Sequence, residues 1–66
     1  MSVAKVIEIL AEGASIESAI EDAVAEAAKT VKNIRSVYVQ DIQAVIADNA
    51  VQRFRVNCKI TFVVGS

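Results

Sequence analysis

Residues 51–64 read VQRFRVNCKITFVV, and two chemistries alternate along them. Phe54, Val56, Cys58, Ile60, Phe62 and Val64 are apolar, while Arg53, Arg55, Asn57, Lys59 and Thr61 stand between them. A period of two marks a half-buried β-strand, because successive side chains leave opposite faces of the sheet. The apolar row needs a core. The cationic row has three choices: water, a partner subunit or a bound anion. Just before this stretch, Asp48, Asn49 and Ala50 form a turn signal, since Asp and Asn tolerate left-handed backbone. The strand-like run Ile34–Ala47 must then pair antiparallel with the last strand through a tight loop. With Asp48 and Asn49 as the loop, Val39 faces Cys58 and Val37 faces Ile60. On that register Ser36, Tyr38, Gln40 and Ile42 share the opposite side with Arg53, Arg55, Asn57 and Lys59. The apolar residues of this run divide into Val37, Val39 and Val45 on one face and Ile34, Tyr38, Ile42 and Ala44 on the other.

The first half supplies a strand and a helix. Val3–Leu10 is short, β-branched and apolar on both faces: Val3, Ile7 and Ile9 on one, Val6 and Leu10 on the other beside Glu8. Such a strand is usually covered on both sides. The stretch AEGAS (11–15) breaks the pattern, with Gly13 as its flexible point. From Ile16 the period becomes helical, with Ile16, Ala19, Ile20, Ala23, Val24, Ala27 and Val31 on one face. Glu17, Ser18, Glu21, Asp22, Glu26, Lys29 and Lys32 fill the other. Ser15 is the expected N-cap, acidic residues load the first turns and lysines the last, and Asn33 is the expected stop.

The order β-α-β-β predicts an α+β subunit with a three-stranded antiparallel sheet of spatial order 1-3-2 wrapped around one helix. The crossover into the second strand is expected to be right-handed. A helix of about 17 residues spans about 26 Å, whereas a strand of about 14 residues spans roughly 45 Å. The helix cannot cover such strands. One face and the sheet ends therefore stay bare in a monomer, and a bare face carrying Tyr38, Ile42 and Ala44 beside arginines suits an interface or a pocket.

Composition points the same way. A chain of 66 residues makes one domain, 1–66, and one of this size is marginal alone. A single cysteine excludes an intrachain disulfide, and the lack of histidine and of a cysteine pair excludes a zinc framework. Yet 55% of the residues are hydrophobic, which leaves self-association as the extra source of stability. A net charge of −1 gives no global attraction to nucleic acid or an anionic membrane. No signal-like N-terminus and no membrane-length apolar stretch stand out, so a cytoplasmic protein is expected. No nucleophile–base pair, phosphate-cradling glycine loop or carboxylate dyad is visible, so no enzyme activity is expected.

Each singled-out residue has a plain reading beside its functional one. Arg53, Arg55 and Lys59 are a solvated row, partners for Asp and Glu across a subunit interface, or ligand contacts. Tyr38 is interface packing or a stacking platform. Cys58 is a buried thiol acting as a small hydrophobe. The acidic helix residues are an outer surface, and Asp41 is a candidate ligand for a cation where subunits meet.

The segments KVIEILAE (5–12), AAKTVKNIRSVYV (27–39) and FRVNCKITFVV (54–64) together resemble the dodecins. The most specific pieces are the Thr30–Ile34 junction and the alternating last strand. The resemblance implies a hollow homododecameric shell. It also implies a small-molecule binding function: storage or sequestration of flavin, FMN or riboflavin, in pockets between subunits. In the flavin-binding branch a tryptophan of the second strand stacks on the ring; counted from Thr30–Val31, that position is Ser36 here. A glutamine of the last strand hydrogen-bonds the ring, and its position is Arg55. The resemblance thus points to Ser36 and Arg55, and the face they share adds Tyr38 and Gln40 to the expected cofactor-contacting set. Tyr38 would replace the stacking platform, and Arg55 would stack on a ring or grip a phosphate, favouring FMN or another anionic aromatic. Some dodecins bind ions near symmetry axes, which adds a bound cation and Asp41 to the expectations. The alternative is a structural or ion-binding dodecin-like assembly that has lost flavin binding through Ser36 and Arg55.

Overall fold

The computed structural model describes residues 3–65; the outermost bounds of the expected domain, 1 and 66, lie outside them. Strand β1 (Val3–Gly13) leads into helix α1 (Ile16–Ala27), then β2 (Ile34–Ala47) and β3 (Ala50–Val64). The sheet order is β1-β3-β2, with β3 antiparallel to both neighbours, as the element order predicts.

The β2–β3 hairpin closes through Asp48 and Asn49, at φ 52° and 60°. Two positive φ values suit the right-handed twist of the flanking strands, and Asp and Asn bear them best after glycine. Val37 pairs with Ile60 and Val39 with Cys58, as expected. Elsewhere three β-bulges intervene, at Arg35 and Gln40 on β2 and at Gln52 on β3. Each extra residue reverses the parity of the strand beyond it. Ile34, Ile42 and Ala44 therefore pair with Phe62, Val56 and Phe54 on the helix side, while Asp41, Gln43 and Val45 pair with Asn57, Arg55 and Arg53 on the bare side. The expected faces of Ile34, Ile42, Ala44 and Val45 are thus corrected.

Helix α1 starts where Ser15 takes extended backbone and its hydroxyl accepts a hydrogen bond from the Ser18 N–H at 3.0 Å. It ends at Ala27, earlier than the periodicity predicts. Thr30 and Val31 still donate to the Ala27 carbonyl as a closing turn, and Asn33 reverses the chain at φ 62°. Lys29 and Lys32 lie beyond the last helical turn, Lys29 holding Glu26 at 3.3 Å. Strand β1 runs on through Ala11, Glu12 and Gly13, so AEG is ladder and not loop. Gly13 is there for closeness: a Cβ would stand 2.7 Å from the Ala19 backbone nitrogen.

The core is a row of small residues on a row of larger ones. Ala19, Ala23 and Ala27 lie on Val56, Cys58 and Ile60, all of them buried. Alanines let helix and sheet approach closely. Burial raises the pKa of the Cys58 thiol, which keeps it protonated. A 12-residue helix covers about 18 Å, on a subunit 51 Å long. Val6, Leu10 and Tyr38 on the bare side, and Ile42, Ile46 and Val51 past the helix, are left 54–66% exposed.

Candidate functional site on the bare face of the sheet

Residues paired across the ladder share a face, so the bare side can be read in rows. Arg55 stands between Glu12 of β1 and Gln43 of β2, Asn57 between Leu10 and Asp41, and Lys59 between Glu8 and Tyr38. Thr61 comes next, between Val6 and Ser36. The row that looked cationic is flanked by acids: Arg53, Arg55 and Lys59 meet Glu8, Glu12 and Asp41 in equal number.

One of these acids is engaged twice. Glu12 accepts from Nε of Arg53 at 2.6 Å through one carboxylate oxygen and from Nε of Arg55 at 2.7 Å through the other. Nη2 of Arg55 lies 2.7 Å from that second oxygen, and Nη1 of Arg53 donates to Gln52 at 2.9 Å. Arginine pairing is therefore made within the chain. Hydrogen bonds from Arg55 first and Arg53 second hold the Glu12 carboxyl below the ordinary glutamate range. A depressed carboxyl pKa contributes stability above the unfolded value and loses it as pH falls through the folded one. The melting-temperature gap between the wild type and Glu12→Gln is accordingly expected to persist from neutral pH to the ordinary glutamate range and to close in more acid solution. A gap that closes earlier contradicts the bridge.

Beside this bridge lies an open groove of about 460 Å³ lined by Leu10, Asp41, Ile42, Gln43, Arg55 and Asn57. The side-chain oxygen Oδ1 of Asn57 is buried and has no hydrogen-bond partner among the described residues, so it meets a donor from the groove only when the amide turns outward. Tyr38, 66% exposed, is about 7 Å further along, two residues at about 3.3 Å each. Arg55 is four residues from the level of Tyr38 and six from that of Ser36, or about 13 and 20 Å along the strand. Within one subunit the expected set is therefore spread out, with Arg55 at one end, Ser36 at the other, and Gln40 as the bulge residue between Tyr38 and Asp41.

A flavin ring offers a flat apolar body, an imide N–H donor and carbonyl acceptors. Tyr38 and Leu10 match the body, and the amide side chains of Asn57 and Gln43, each both donor and acceptor, match the imide N–H and the carbonyls. The residues present fit the group. Among the described residues no three His, Cys, Asp or Glu side chains gather to hold a metal ion, so Asp41 would need acids from neighbouring copies. Among them too, no helix is long and apolar enough to cross a membrane.

Glu12 and Asn57 are the residues that sequence reasoning passed over. The signal for Glu12 was there: Val6, Glu8, Leu10 and Glu12 continue one outward row, with Ile7, Ile9 and Ala11 inward. The pairing of Asn57 had no local signal, because the bulge at Gln40 decides that it faces Asp41.

Known proteins extend this picture. The family model described as Dodecin matches residues 3–65. A crystal structure of a Thermus thermophilus protein superposes with a TM-score of 0.91 at 25% identity, covering 100% of this chain and 98% of that one. The tryptophan-to-phenylalanine mutant of the T. thermophilus dodecin gives 0.90 at 25% identity, covering both chains fully. The Streptomyces davaonensis dodecin, at 18% identity and a TM-score of 0.88 over 98% of this chain and 97% of that one, shares the fold. Among curated proteins no match was found. With its sequence matched over residues 3–65 and its β-α-β-β fold shared end to end, the chain belongs to the dodecin family.

Proposed function

We propose that this chain is the subunit of a homododecameric, cytoplasmic dodecin shell that binds flavin, FMN or riboflavin, between its copies and stores it without catalysis. One observation carries the reading: an exposed Tyr38 ring stands on the same bare face as the apolar Leu10 and the amide side chains of Asn57 and Gln43. A flat ring with a polar edge fits this set. Ser36 is the small neighbour that leaves room at the Tyr38 end, Gln40 lines the bulge, and Arg55 closes the far end with Glu12. The bound ring would bring redox capacity; the chain's residues would hold it and exclude water. Fluorescence titration with FMN and riboflavin is the test. Quenching in the micromolar range is expected, weakened about tenfold in Tyr38→Ala through loss of stacking area and its added aromatic contribution, and weakened also in Arg55→Ala. Undiminished emission of both flavins contradicts the proposal.

A second reading, a structural or ion-binding shell without flavin affinity, draws on the pairing of Ser36 with Thr61, two small hydroxyl side chains that offer no stacking surface. In that case neither flavin is quenched, Ser36→Trp gains flavin affinity, and Asp41 is the residue from which an ion site on a symmetry axis would be built.

A further inference from the structure

We propose that Glu12 is the charge-selecting residue of this face: by holding the Nε edges of Arg53 and Arg55 it denies them to the phosphate or carboxylate of a ligand, so that an uncharged ligand binds as well as its phosphorylated form. The proposal deepens the reading above and rests on it for the place where a ligand sits. Its physical basis is separate.

An arginine recognises an oxyanion best through two parallel N–H groups of one edge. On Arg55 the edge formed by Nε and Nη2 is already on Glu12, and Glu12 also takes Nε of Arg53. What remains on each guanidinium is the Nη1–Nη2 end, three N–H groups on each arginine, next to the Gln52 contact on Arg53 and without a partner among the described residues on Arg55. An incoming phosphate would reach these only beside a carboxylate that repels it. The balance of the face points the same way. Its three cations and three acids cancel, and removing the Glu12 charge alone leaves it positive by one. Glu12 is also well anchored. It sits opposite Arg55 in the β1–β3 ladder, next to Gly13, where the helix backbone lies too close to admit a Cβ. Its carboxyl is held in the ionised form by both arginines, so at neutral pH it does not release them by taking up a proton.

The test compares FMN with riboflavin by fluorescence quenching, and adds inorganic pyrophosphate as a probe that needs no ring. In the wild type the two flavins are expected to bind within about threefold of each other. Glu12→Gln, which keeps the shape and removes the charge, is expected to raise the preference for FMN about tenfold, the size of a charge-assisted contact at a half-exposed site. It is also expected to bind pyrophosphate more tightly than the wild type does, a gain that shrinks in high salt. Arg53→Gln leaves Glu12 to Arg55 alone and is expected to lower the FMN preference. A wild type that already prefers FMN tenfold overturns the proposal, as does a Glu12→Gln variant with an unchanged ratio and pyrophosphate binding equal to the wild type's. Should no variant bind either flavin, the storage function fails and pyrophosphate alone decides: tighter binding to Glu12→Gln upholds the role of Glu12, and equal or absent binding removes it. Should Glu12→Gln not fold, the wild-type ratio and its fall or constancy in Arg53→Gln decide.

Discussion

Ile60→Ala is expected to cost about 4 kcal/mol of subunit stability, near the upper end for a buried isoleucine. Ile60 is fully buried on the central strand, paired with Ile7 on one side and Val37 on the other, beneath the alanines of α1. Alanines have no side chain that can swing into a hole, and the flanking partners are fixed in a hydrogen-bonded ladder, so the cavity stays open. A domain of this length has a total stability of only about 3–10 kcal/mol, and the variant should be mostly unfolded or markedly lower in its urea midpoint. Circular dichroism against urea reads this directly. A midpoint shift equivalent to less than about 1 kcal/mol would mean that the site collapses freely, against the packing described.

Leu10→Asp should act on assembly. In the isolated subunit Leu10 is 64% exposed, and a surface substitution of this kind changes stability by about 0.5 kcal/mol or less. If copies of the chain cover the face, the new carboxylate is buried close to Asp41, which lines the same groove. An unpaired buried charge costs several kcal/mol, repeated at each equivalent contact. The expected result is dissociation into small species whose β-rich circular dichroism is retained. A variant that assembles like the wild type would show that this part of the face stays in water.

The contrast between these two substitutions reflects what the sequence makes legible. The alternation of residues 51–64 sufficed to place Val56, Cys58 and Ile60 inward, and the register expected for Val37 and Val39 from the Asp48–Asn49 turn holds because the bulges at Gln52 and Gln40, one on each strand, cancel. The order of strands stems from the β-α-β-β sequence and the tight hairpin. Bulges were not legible. Nothing in VQDIQAV (39–45) distinguishes an uninterrupted strand from one with an extra residue at Gln40, because both faces there carry mixed polar and apolar side chains. The parity error moved Asp41 and Gln43 off the face on which they stand, and with them a third of the residues lining the groove. The end of α1 was hidden for a related reason: Val31 keeps the helical spacing although the chain has already left the helix, and it packs against the core from the turn. Glu12 was obscured by the glycine after it, read as a break when its role is to let the helix come near.

The mass of the native particle in solution tests most directly whether the bare face is closed by further copies of the same chain. Light scattering at micromolar concentration is expected to give about twelve times the 7.1 kDa of one chain. A folded particle of 7.1 kDa would leave Leu10, Tyr38 and the Glu12 bridge open to water, and would contradict the pocket between copies on which the flavin proposal depends.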